Sequence, residues 1–99
     1  MPHSPLCKRL KEARLSVKLS QKKLGIAAGV DEFSASARIN HYEKGRHSPD
    51  YFMLQRMGKI LNLPTAYFYS ESDQLAEMIR LFNRLNKKEK DKLIKQLRQ

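Results

Sequence analysis

Ser36, Arg38, Asn40, His41 and Lys44 place hydrogen-bonding groups of several kinds along one short stretch of chain. The Arg38 guanidinium offers two parallel donors, Asn40 a donor and an acceptor together, and His41 either. Groups of this kind match base edges, where guanine takes a forked donor and adenine a paired donor and acceptor. Ser34 and Ala37 lie in the same stretch and reach the same edges by a hydroxyl or a methyl contact. Gln21, Lys22, Lys44, Arg46 and His47 flank the set and suit phosphate oxygens, which position a protein without carrying sequence information. This is the chemistry of recognition, and nothing beside it makes or breaks bonds. His3, His41 and His47 lack metal-ligand spacing, and one cysteine cannot complete a zinc site. No glycine-rich phosphate loop or nucleophile elbow occurs. The adjacent acids Asp31 and Glu32 read more plainly as a polar turn near a helix N-terminus than as nuclease metal ligands. No catalytic residue, metal or cofactor is expected, and an enzyme is not.

The elements that must hold these groups in place are two short helices within residues 20–45. Ser20 is the expected N-cap of the first, which runs over residues 21–28. Leu24, Ala27 and Ala28 recur at helical spacing and are expected to face a core. Gly29 ends this helix, since glycine alone reaches a left-handed C-cap without strain. The second helix is expected over residues 34–44, with Ser34 as its cap and Gly45 as its terminator. Ile39 and Tyr42 form its apolar side, which leaves the recognition residues facing outward. A polar helix face on a strongly basic chain points to DNA.

In order and spacing, Leu10, Arg14, Gln21, Leu24, Gly25, Gly29, Ile39, Glu43-Lys44-Gly45, Pro49, Leu54, Ile60, Leu61 and Pro64 form a pattern. Residues 6–64 thereby resemble the helix-turn-helix domain of the Cro and phage-repressor (XRE-type) family of transcriptional regulators. The resemblance implies a five-helix, all-α DNA-binding domain whose second motif helix lies in the major groove. It also implies an ion pair between Arg14 and Glu43 that ties the first helix to the end of the reading helix. The alternative for both residues is a solvated surface charge that contributes little. One departure is visible: Val30-Asp31-Glu32-Phe33 lengthens the turn by roughly four residues relative to the compact motif.

Ninety-nine residues with 40% apolar content suit one helical core. The formal net charge is +10, and six of those charges lie within residues 1–48, alongside the motif. Charge alone would admit RNA or an anionic membrane surface, whereas charge with the motif favours DNA. A single cysteine, Cys7, excludes an intrachain disulfide and fits a reducing compartment. Without a signal peptide or an apolar run long enough to span a bilayer, a cytoplasmic, nucleoid-associated bacterial or phage protein is expected.

Met1 to His3 are expected to fray, and Ser4-Pro5 to start the first helix as cap and first residue. Leu6, Leu10, Ala13 and Val17 form its inner stripe, with Lys8, Arg9, Lys11 and Lys18 outside. Ser48-Pro49-Asp50 is read as cap, proline and acid opening the fourth helix, whose core side is Phe52, Leu54, Met57, Ile60 and Leu61. Asn62 and Pro64 end it and begin a short fifth helix, with Phe68 inside. Residues 1–70 are thus expected to form the helix-turn-helix domain and residues 71–99 a C-terminal extension of two amphipathic helices. Leu75, Met78, Ile79, Phe82 and Leu85 are its first apolar stripe, and Leu93, Ile94 and Leu97 its second. Asn86 to Glu89 has the form of a capping box between them. Neither helix is stable alone, and the first stripe is the expected homodimer interface, with packing on the chain's own domain as the alternative.

Three functions are compatible with these features. The first is a dimeric regulator, expected to be a repressor on an inverted-repeat operator. The second is an antitoxin of the same fold, which binds a toxin protein as well as its own operator. The third is a basic module lying on an anionic membrane, against which Glu77, Glu89 and Asp91 count.

Overall fold

The computed structural model describes residues 4–99, so the expectations for Met1 to His3 lie outside the described residues. The described chain is all-helical: α1 (Leu6–Ser16), α2 (Gln21–Ala27), α3 (Ala35–Glu43), α4 (Tyr51–Leu61), α5 (Thr65–Phe68), α6 (Asp73–Asn83) and α7 (Lys87–Leu97). The first five helices enclose one core in which Leu10, Leu24, Ile39, Leu54, Met57 and Phe68 are fully buried. Each supplies one apolar face, and none could keep it dry alone.

Local chemistry sets the helix ends. Ser20 caps α2 by accepting from Lys23 N at 3.0 Å. Asp50, rather than Ser48, caps α4, accepting from Met53 N at 2.8 Å, and Pro49 lies buried before the cap. Ser34 occupies the N-cap of α3, but its hydroxyl makes no capping bond. The first turn of α1 also lacks a side-chain cap, and Pro5 there already has helical backbone angles. Asn62 takes a left-handed conformation after α4, where Leu63 N donates to Gly58 O at 2.8 Å. A methyl on Gly58 would sit 2.5 Å from the Leu63 carbonyl oxygen, so this tight ending needs glycine there.

Several inner stripes differ from expectation. Val17 is half-exposed because α1 ends at Ser16 and Lys18 turns left-handed, beyond which helical periodicity no longer holds. In α2 the buried positions are Leu24 and Gly25, with Ala28 behind them, so Ala27 faces water. In α4 Met53 takes the core position and Phe52 is exposed.

Arg9 is the largest departure. Expected outside, it is only 3% exposed, and its fork reaches the start of the C-terminal extension. Nε donates to Ser70 O at 3.0 Å, Nη1 to Asp73 Oδ1 at 2.8 Å and Nη2 to Glu71 O at 3.4 Å. Asp73 also accepts from Lys8 Nζ at 3.1 Å. Ala76 is buried in the core and Ile79 packs against it, so Ile79 faces its own domain. Asn83 Nδ2 donates to Asn62 O at 3.1 Å and secures the far end of α6.

Leu75 and Met78 remain about half-exposed, and Phe82 and Leu85 are partly covered. Past Asn86 the chain turns into α7 through a complete capping box with Glu89. No residue of α7 is buried, and its tie to α6 is Lys90 Nζ, 5.5 Å from the centre of the Phe82 ring. The molecule's principal extents are 51 × 30 × 22 Å.

Candidate nucleic-acid interface

α2 and α3 meet at their smallest residues. A Cβ on Gly25 would lie 2.7 Å from Ala35 Cβ, so only a hydrogen at position 25 lets the two backbones come this close. Gly29, at φ +97, turns the chain out of α2, and Val30 N returns to Gly25 O at 2.9 Å. Val30 then closes the core beneath the turn while Asp31, Glu32 and Phe33 stay outside. Phe33, at the outer edge of the lengthened turn, is 92% exposed. Neither acid forms an ion pair among the described residues.

Ala35, Ile39 and Tyr42 bury one side of α3. That leaves Ala37 and Lys44 on the opposite side of the helix, with Ser36 and Arg38 on its flanks. Ser34, Ser36, Ala37, Arg38 and Lys44 are all exposed. Asn40 and His41 are only partly so, and each has a neighbour that the sequence did not reveal.

Asn40 belongs to a network that starts on α1. Arg14 Nε donates to Glu43 Oε2 at 2.6 Å and Nη2 to Oε1 at 3.0 Å, with both side chains nearly buried. Nη1 of the same fork donates to Leu19 O at 2.9 Å, holding the α1–α2 connection. Gln21 Nε2 then donates to both Glu43 Oε1 and Asn40 Oδ1, each at 3.1 Å. Gln21, expected at phosphate, therefore spends its amide nitrogen aligning α2 with α3. The carboxylate at its centre is met by charge-assisted donors from two helices, the arrangement in which burial of an ion pair is tolerated.

His41 has a different neighbour. Gly45, at φ +76, reverses the chain, and Arg46 N donates to His41 O at 2.9 Å. The returning loop sets the His47 ring 5.1 Å from the His41 ring at a 53° tilt. Arg38, Tyr42, His47 and Ser48 line a shallow cleft along this edge. Lys44, Arg46 and His47 therefore gather at the C-terminal end of α3, while Lys22 stands exposed in the first turn of α2. A row of donors with a basic group at each end matches a surface whose middle is polar and whose margins are anionic.

Sequence reasoning missed Arg9 and the link from Gln21 to Asn40. The register of Arg9, three residues after Leu6 and four before Ala13, puts it on the buried side and was the available signal. Among the described residues no group of His, Cys, Asp or Glu is arranged to hold a metal ion, and no helix is long and apolar enough to cross a membrane.

Comparison with known proteins gives two matches of different kinds. A family described as helix-turn-helix matches residues 10–68. Among solved structures, the crystal structure of transcriptional regulator BswR is 42% identical, covering 93% of this chain and 91% of that one, with a TM-score of 0.87. No curated protein matches. The family match includes the region that carries the donor row, and the structural match covers more of the chain than the family match does.

Proposed function

The chain belongs to the helix-turn-helix family, and from that premise we propose that it is a DNA-binding regulator of transcription that lays α3 in the major groove. The observation that carries this reading is the outer face of α3. Its exposed Ser34, Ser36, Ala37 and Arg38, with Asn40 and His41 beside them, form a continuous polar surface, and basic residues flank it. Arg38, Asn40 and His41 are assigned to base edges, with Ser34, Ser36 and Ala37 as further contacts. Lys22, Lys44, Arg46 and His47 are assigned to phosphates, and Gln21 to phosphate only after its amide nitrogen gives up one of its internal bonds to Asn40 and Glu43. The likeness to the transcriptional regulator BswR supports the same reading. The reaction is binding alone, without catalysis, metal or cofactor, and the place of action is the bacterial or phage-derived nucleoid.

The finer reading is a homodimeric repressor on an inverted-repeat operator. It rests on the half-exposed Leu75 and Met78 of α6 and the exposed Leu97 of α7, apolar groups that a second copy would cover. The same apolar surface is the one observation that favours an antitoxin, in which a toxin protein would cover it instead. Selection of bound fragments from random duplex DNA, with sedimentation of the free protein, tests both. An inverted repeat bound by dimers supports the repressor. A monomer that sediments alone and pairs stably with a second protein encoded beside it supports the antitoxin, and absence of any selected motif removes both.

A further inference from the structure

We propose that Arg9 is a positioning residue that fixes the separation of the two half-sites this protein reads; the inference rests on the homodimer reading above. Burying a guanidinium is costly unless its donors are met. The α1–α5–α6 junction could have been filled by an apolar side chain. Arg9 instead sends each of its three nitrogens to the segment that leads into α6, at Ser70 O, Glu71 O and Asp73. Asp73 is the first residue of α6, so the fork grips the N-terminal end of that helix. Asn83 holds the other end to the close of α4, and buried Ala76 seats the middle. α6 is therefore fixed at three points along its length.

α1 also holds the reading helix. Arg14 lies five residues from Arg9, about 7.5 Å along the axis of the same helix, and grips Glu43 at the end of α3. One rigid helix thus joins α3 to α6 through two arginine forks. When copies pair through the exposed face of α6, the span between their two α3 helices follows from this linkage. Without the Arg9 fork, residues 69–72 lose their tie to α1, α6 is held only by Ala76 and its far end, and the span is less sharply defined.

The test is binding of the full chain to duplexes carrying its selected half-site as an inverted repeat, with the spacing changed one base pair at a time. The wild type is expected to prefer one spacing by roughly a hundredfold, the gain of engaging both half-sites at once. Arg9→Lys keeps the charge but loses the fork, and Asp73→Ala with Asn83→Ala removes the side-chain tie at each end of α6. Either variant should reduce the preference to under about tenfold while single half-site affinity stays within about twofold. A wild type indifferent to spacing overturns the dimer reading beneath the proposal. A sharp wild-type preference kept by the folded variants overturns the role of Arg9 alone. Should Arg9→Lys fail to fold, the Asp73 and Asn83 double variant decides the outcome by the same readout.

Discussion

Arg14 and Glu43, twenty-nine residues apart, meet in a two-pronged bond with both side chains almost fully buried. Removing one partner leaves the other charged and shielded from water. Glu43→Ala should therefore cost roughly 3–5 kcal/mol, and it also frees the amide of Gln21 from one of its two acceptors. A double-mutant cycle with Arg14→Ala, measured by urea unfolding, should show strong coupling; additive losses would mean that the two side chains stand independently.

Gly25 sets how closely α2 approaches α3. Gly25→Ala would favour the helix by propensity, by about 1 kcal/mol. The added methyl, however, would press on Ala35 Cβ and its carbonyl oxygen, both within 3.0 Å. Overpacking costs typically about 1–3 kcal/mol, so net destabilisation and weaker DNA binding are expected. A rise in Tm for Gly25→Ala would show that the helices can separate freely.

Arg38→Ala should cost about 1–3 kcal/mol of DNA binding and relax preference at one base position in each half-site. Lys44→Ala or Arg46→Ala should weaken all sequences alike and reduce the salt slope by about one unit per protomer. Binding across single-base operator variants separates the two behaviours. Uniform loss for Arg38→Ala, with base preferences intact, would move the reading surface elsewhere on α3.

Pairing through α6 is checked most cleanly at Leu75 and Met78, which are half-exposed and contribute little to their own core. Leu75→Asp with Met78→Asp should give monomers that keep the wild-type helical signal. Phe82→Asp should do the same, though it also removes the ring beneath Lys90. Wild-type protein that already sediments as a monomer at high micromolar concentration would exclude this interface.

Asp73 responds to acid in a defined direction. The hydrogen bond from Arg9, then that from Lys8, holds its carboxyl below the ordinary value of 3.8. Its contribution is present above that value and is lost as pH falls through the lower, folded-state value. Asp73→Asn should therefore lower Tm at neutral pH and converge with the wild type in strong acid. A Tm difference that is unchanged down to pH 2 would assign the effect to packing instead.

Signals confined to a few neighbouring residues were legible in the sequence. Ser20 caps α2, Gly29 and Gly45 turn left-handed, and Asn86 with Glu89 closes a capping box, each decided by chemistry within a few positions. Stripe width was harder to read. Phe52 and Met53 are adjacent and both apolar, and only the docking of α4 on the core selects Met53. At Ser34 and Ser48 the residue type suits a cap, yet the chain's path leaves one hydroxyl unused and gives the other role to Asp50. Arg9 and Gln21 were least legible, because their partners lie about sixty and twenty residues away; the register of Arg9 points to the buried side but names no partner for its fork.

No residue of α7 is fully buried, and an isolated helix of its length is marginal in water even with good caps. Its order is therefore separable from that of the domain it follows. Its backbone amides should exchange with deuterium long before those of α1 or α4, and Lys88, Lys90, Lys92 and Lys95 should be the earliest trypsin cuts. Where copies associate through this end of the chain, both clocks slow as concentration rises. The survival time of the C-terminus then becomes a gauge of how much of the protein is present.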